Sequence, residues 1–162
     1  MMTNDSGLDF FLTISLKYPE LNAVKYLVDK HQIILEVALQ GNVGNRQDEF
    51  IIRTEEHLSL LHKLSNKQPI VFELSFKDVS GITFLRFCRD ISSVTEEEIE
   101  LFLFLLMEDF AGTIIKDLEN VACKNTFNTK TKRNLLKKIT IDKSVTNFFA
   151  YREQGKVFVF NK

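Results

Sequence analysis

The chain has 162 residues, 44% hydrophobic and 27% charged, with a formal net charge of −1. It is long enough to bury about 70% of its unfolded surface in one core, which excludes a disordered, fibrous or disulfide-dependent scaffold. The near-zero total conceals a change of sign: residues 1–115 hold 10 Lys and Arg against 18 Asp and Glu, and residues 116–162 hold 11 against 4.

A segment of net −8 therefore precedes one of net +7. This divides the chain into an acidic α+β core, 1–115, and a basic C-terminal extension, 116–162, expected to pack on the core as one domain.

In chain order, Phe10, Leu12, Ile14 and Leu16 alternate with Phe11, Thr13, Ser15 and Lys17, which predicts a half-buried strand over 10–17. Ile33, Leu35, Val37 and Leu39 alternate in the same way with Ile34, Glu36, Ala38 and Gln40. Between them Val24, Tyr26 and Val28 alternate, and Asp29-Lys30-His31-Gln32 can turn a hairpin. A short helix opened by Pro19, with Leu21, Val24 and Val28 on one side, is the other reading of that stretch. From Gln47 to Ser65 the period changes: Phe50, Ile51, Thr54, His57, Leu58, Leu61 and Leu64 recur at helical spacing, with Asp48 and Glu49 opposing the dipole in the first turn. After the breaker Pro69, Ile70, Phe72, Leu74 and Phe76 alternate with Val71, Glu73, Ser75 and Lys77. A second strand, Ile82 to Arg89, follows the turn Asp78-Val79-Ser80-Gly81.

Thr95-Glu96-Glu97-Glu98 has the pattern of a capping box, in which Thr95 accepts from the Glu98 N–H and the Glu98 carboxylate reaches back to the Thr95 N–H. The helix it opens runs through Ile99, Phe102, Leu103, Leu106 and Phe110 to a stop at Gly112. The apolar run Leu101 to Met107 wraps nearly its whole circumference, so this helix is expected to be central, or to face both the sheet and another subunit. Beyond it, 123–132 is polar enough for a linker or an insertion loop, and Leu135, Leu136 and Ile139 predict a short basic helix. Asn147 to Arg152 and Lys156 to Asn161 then predict a closing hairpin through Glu153-Gln154-Gly155.

The expected fold is α+β: an antiparallel sheet of about five strands in the order β-β-β-α-β-β-α, with helices packed on one face, followed by the basic helix and the C-terminal β-hairpin. That order resembles the small acidic chaperones that hold secreted effectors, whose first helix has no counterpart in it.

Signals for chemistry are few. His57 and His62 stand about 140° apart around one helix and cannot share a ligand. Cys88 and Cys123 have no CxxC or Cys/His companion, so no metal, cofactor or disulfide is expected. Glu96, Glu97, Glu98 and Glu100 are explained by capping and the dipole rather than by acid/base work. No small-molecule ligand is identifiable and no residue is assigned to catalysis. The N-terminus MMTNDSGLDFF lacks the basic and apolar regions of a signal peptide, and the longest apolar run is seven residues against the roughly 18 of a membrane span. The expected location is the cytoplasm, and 15 Phe without Trp fit the AT-rich codons of a GC-poor, bacterial genome.

The signal that remains is the basic extension, where Lys130, Lys132, Arg133, Lys137, Lys138 and Arg152 are the candidate partner-binding residues. The expected function is that of a non-enzymatic regulatory, adaptor or chaperone-like module acting through protein–protein contacts, self-association included. The alternative is a nucleic-acid-binding accessory protein that grips phosphates through residues 124–156 and stacks bases on the interleaved aromatic rings.

Overall fold

A computed structural model describes residues 4–41, 43–115, 147–153 and 156–161. The elements are α1 (Asn4–Lys17), β1 (Ala23–Leu27), β2 (Gln32–Gln40), α2 (Gln47–Leu64), β3 (Phe72–Val79), β4 (Ile82–Asp90), α3 (Glu96–Phe110), β5 (Asn147–Glu153) and β6 (Lys156–Asn161). The first differs from expectation. Residues 10–17 form the C-terminal part of a helix rather than a strand, because Leu8, Phe11, Leu12 and Ser15 recur at helical spacing in a stretch so apolar that the two-residue alternation fits as well. The order thus opens α-β-β-α-β-β-α, with two strands instead of three before the second helix.

Gly7 sets how closely α1 can approach the sheet. A Cβ there would overlap the Tyr26 hydroxyl and lie 2.8 Å from its Cζ, so the helix rests on the β1 ring with no side chain between them. Phe11 completes this contact, 6.3 Å from Tyr26 and 6.2 Å from Phe148 between ring centroids.

The six strands lie in the order β3-β4-β2-β1-β5-β6, and every neighbouring pair is antiparallel. The sheet has six strands rather than five because both strands of the last hairpin join it, β5 pairing with β1 from Ala23↔Tyr151 to Leu27↔Asn147. The β1–β2 connection is the hairpin reading, closed by a short 3₁₀ turn at Val28–Lys30 with His31 at φ 54°. Ser80 and Gly81, at φ 49° and 84°, make the two-residue turn between β3 and β4, since positive φ at both positions matches the right-handed twist of the strands. The short helix expected around Leu135 to Ile139 lies outside the described residues.

One face of the sheet supplies the core. Val24 and Tyr26 of β1, Ile33, Leu35, Val37 and Leu39 of β2, and Leu85 and Phe87 of β4 share it with Leu8, Phe11 and Leu12 of α1, Phe50 and Leu58 of α2, and Phe102, Leu106 and Phe110 of α3. The helices therefore pack on that face, the period-two residues of the strands meeting the period-3.6 stripes of the helices. Helix α3 is central: of Leu101 to Met107, only Phe104 is exposed, at 59%. Its apolar circumference is covered mostly by its own chain rather than by another subunit.

The other strand positions point to the opposite face, where Glu73, Cys88, Ile34, Lys25, Phe149 and Phe160 follow one another across all six strands. No described helix lies over that row.

Candidate functional site

Two places combine chemistry with position: a buried charged cluster where α2, α3, β3 and β4 meet, and the β6 end of the open sheet face.

The cluster centres on Arg89. It occupies the core-facing register of β4 after Thr83, Leu85 and Phe87, so a guanidinium enters the core and must find counter-charge there. Glu98, in the first turn of α3, supplies it. Arg89 Nε donates to Glu98 Oε2 at 2.5 Å and Nη2 donates to Oε1 at 3.1 Å. Nη2 also donates to Ser93 Oγ at 3.0 Å, and Nη1 donates to the Val71 carbonyl at 3.0 Å and to Asp90 Oδ1. The five N–H groups of the guanidinium all have acceptors, which leaves none for a ligand.

Asp90 is bound on both oxygens. Oδ1 accepts from the N–H groups of Ile70 and Val71 at 3.0 Å, and Oδ2 accepts from Ser92 Oγ at 2.8 Å and Ser93 Oγ at 2.6 Å. Burial alone would raise this carboxyl, but the hydrogen bonds from Ser93, Val71 and Ser92 and the adjacent Arg89 charge hold it well below the usual carboxylate range.

Glu98 also accepts from His62 Nε2, at the last turn of α2. His62 borders a groove of about 710 Å³ lined also by Glu55, Ser59, Lys63, Lys67 and Phe72. A histidine oriented by a carboxylate supplies two of the three members of a hydrolytic triad. The nucleophile is the missing part: Ser59 lies one turn earlier on α2, and among the described residues no hydrogen bond joins it to His62. The arrangement ties the starts of β3 and α3 to the ends of β4 and α2.

The capping box is half formed. Thr95 Oγ1 accepts from the Glu98 N–H at 3.2 Å, while the Glu98 side chain turns inward to Arg89 and His62 instead of back to Thr95. The signal in the sequence was Arg89 itself, a cation in phase with an apolar alternation.

At the far end of the sheet, Phe149, Tyr151, Phe158 and Phe160 stand side by side on the open face. Phe149 and Phe160 are stacked with centroids 5.5 Å apart, Tyr151 and Phe158 at 5.2 Å, and Tyr151 meets Phe160 edge-on at 5.8 Å. Tyr151, Phe158 and Phe160 are 39%, 42% and 46% exposed. Their inward neighbours Phe148 and Ala150 are buried, so period two divides one hairpin into a core side and an open aromatic side. Among the described residues strand β6 is also a sheet edge, bonded to β5 alone. Of the two edges, β3 presents Glu73 and Lys77 on its open side, whereas β6 from Val157 to Phe160 has no charge.

Of the residues singled out in sequence, Lys130, Lys132, Arg133, Lys137 and Lys138 lie outside the described residues, as does Cys123. Arg152 is described: its Nη2 donates to the Ser15 carbonyl at 2.8 Å and to that of Tyr18 at 3.4 Å, fastening β5 to the end of α1. Burial pushes the Cys88 thiol up, the reverse of what a reactive thiolate needs. His57, exposed on α2, donates Nδ1–H to the Arg53 carbonyl at 2.8 Å, while His62 is buried, so the two point apart. Among the described residues no three of His, Cys, Asp and Glu converge on a metal position, and no helix is long and apolar enough to cross a membrane.

No family model, curated protein or solved structure matches the chain.

Proposed function

We propose that this protein acts by contact with another polypeptide, as a non-enzymatic adaptor or chaperone-like module whose contact surface is the β6 end of its sheet. The observation that carries the reading is the four-ring aromatic row on an open face beside an uncharged strand edge. An unpaired edge offers backbone donors and acceptors to a further strand, and pockets between alternate side chains give selectivity. The buried cluster supports it from the other side: Arg89 and Asp90 spend their hydrogen bonds within the chain, which suits a rigid frame rather than a reacting centre.

The second reading, single-stranded nucleic acid, is favoured by the same rings, because stacking on adjacent aromatic residues accepts any base, and by Lys25 beside Phe149 on the next strand. One experiment separates them. A photo-crosslinking amino acid is placed at Phe158, and in a second protein at exposed Ile52 on α2, and both are irradiated in the native host. Crosslinks to polypeptide at 158 but not at 52 are expected. Crosslinks to nucleic acid at 158 would move the assignment to the second reading, and none at 158 would remove both.

A further inference from the structure

Resting on that reading, we propose that the polypeptide met by β6 is β6 of a second copy of this chain, paired antiparallel about a two-fold axis so that two six-stranded sheets become one of twelve. An antiparallel pair places residues of the same face opposite one another, and a two-fold joint must be self-complementary. With Val159 opposite the second copy's Val159, Phe158 faces the second copy's Phe160, and Phe160 faces its Phe158. The hairpin already sets Tyr151 beside Phe158 at 5.2 Å and Phe149 beside Phe160 at 5.5 Å. This joint therefore extends both pairs into rows of four rings, each running from one copy's β5 to the other's.

A foreign strand would have to bring aromatic residues at alternate positions to fill both rows; this chain carries them already. The edges also differ in a way that points to self-pairing at one end. Strand β3 carries Glu73 and Lys77 on its open side, so a strand pairing there must match each charge with its opposite. Strand β6 has Lys156 at its start and then only Val157, Phe158, Val159 and Phe160 before Asn161.

Area sets the strength. The two β6 rings that meet the second copy, exposed at 42% and 46%, offer about 170 Å² per copy. With two backbone edges and the valines added, the joint stays below the roughly 1,000 Å² total of the smallest stable interfaces, in the range of weak, transient pairs. The pair should be reversible, forming and separating in the micromolar range.

The test is sedimentation of the full chain over a range of concentrations, for the parent, F158E, F160K and the double variant F158E/F160K, with circular dichroism and thermal melts as the check on folding. The parent should pass from monomer to dimer as concentration rises, each single variant should remain monomeric and folded, and the double variant should dimerise again because each Glu faces a Lys of the other copy. A parent that is monomeric at every concentration would overturn the proposal, and this holds even if a variant fails to fold. Dimers persisting in both single variants, or a double variant that stays monomeric, would overturn it too. A monomeric parent whose position 158 still crosslinks to polypeptide would refute self-pairing alone and leave the contact reading standing; no crosslink there would refute both.

Discussion

Arg89 and Glu98 stand nine residues apart in the chain, each 1% exposed, and are joined by two hydrogen bonds of 2.5 and 3.1 Å. The pair closes the corner at which β4 hands over to α3, and His62 adds the end of α2 to it. Replacing one partner strands a buried charge, which costs about 3 to 5 kcal/mol, whereas replacing both with apolar residues of similar volume is close to neutral. R89M and E98L are each expected to lose that much in urea denaturation, and R89M/E98L to recover most of it. A double variant as unstable as the sum of the singles would mean that the pair is not coupled.

Asp90 makes stability depend on acid. Its folded pKa lies well below its ordinary 3.8, so the stabilisation is fully present above the unfolded value and is lost as pH falls below about 4 toward the folded one. The urea midpoint of the parent should drop between pH 5 and pH 2 more steeply than that of D90N, which carries no carboxyl to protonate. Equal slopes would contradict the assignment.

Gly7 and Tyr26 make a prediction against helix propensity, which favours Ala over Gly by about 1 kcal/mol. G7A should nonetheless destabilise the protein by about 1 to 3 kcal/mol, since the added methyl overlaps the Tyr26 hydroxyl. In Y26F the hydroxyl is absent and the same substitution should cost less. A thermal melt of G7A equal to or above the parent would place α1 farther from β1.

On α3, neighbouring residues should behave oppositely. Leu106 is fully buried and L106A should cost about 2 to 5 kcal/mol. Phe104 is 59% exposed, and F104S should stay within about 0.5 kcal/mol of the parent in chemical denaturation and leave the oligomeric state unchanged. A large loss in F104S would show that a partner covers this helix after all.

What could be read without coordinates follows from how local the signals are. Helix α2, the β3–β4 hairpin and the Thr95 cap lay within a few residues of their expected bounds because each is specified by its own period or turn chemistry. Helix α1 was hidden because Phe10, Phe11, Leu12, Ile14 and Leu16 satisfy both periods, and because Gly7 is a poor helix former whose reason, the Tyr26 ring, lies elsewhere in the chain. The joining of β5 to β1, between residues 147–151 and 23–27, has no local signal at all. Glu98 was misread for a related reason: the capping pattern explained it fully until Arg89 and His62 arrived from other elements.

The proposed function requires β6 to be an interface. Hydrogen exchange of the full chain, followed by mass spectrometry at low and at high micromolar concentration, compares the two sheet edges within one molecule. Amides of Val157 to Asn161 should exchange more slowly at the higher concentration while those of Glu73 to Lys77 on β3 do not change. Exchange in β6 that is the same at both concentrations, or protection that appears on β3 instead, would contradict it.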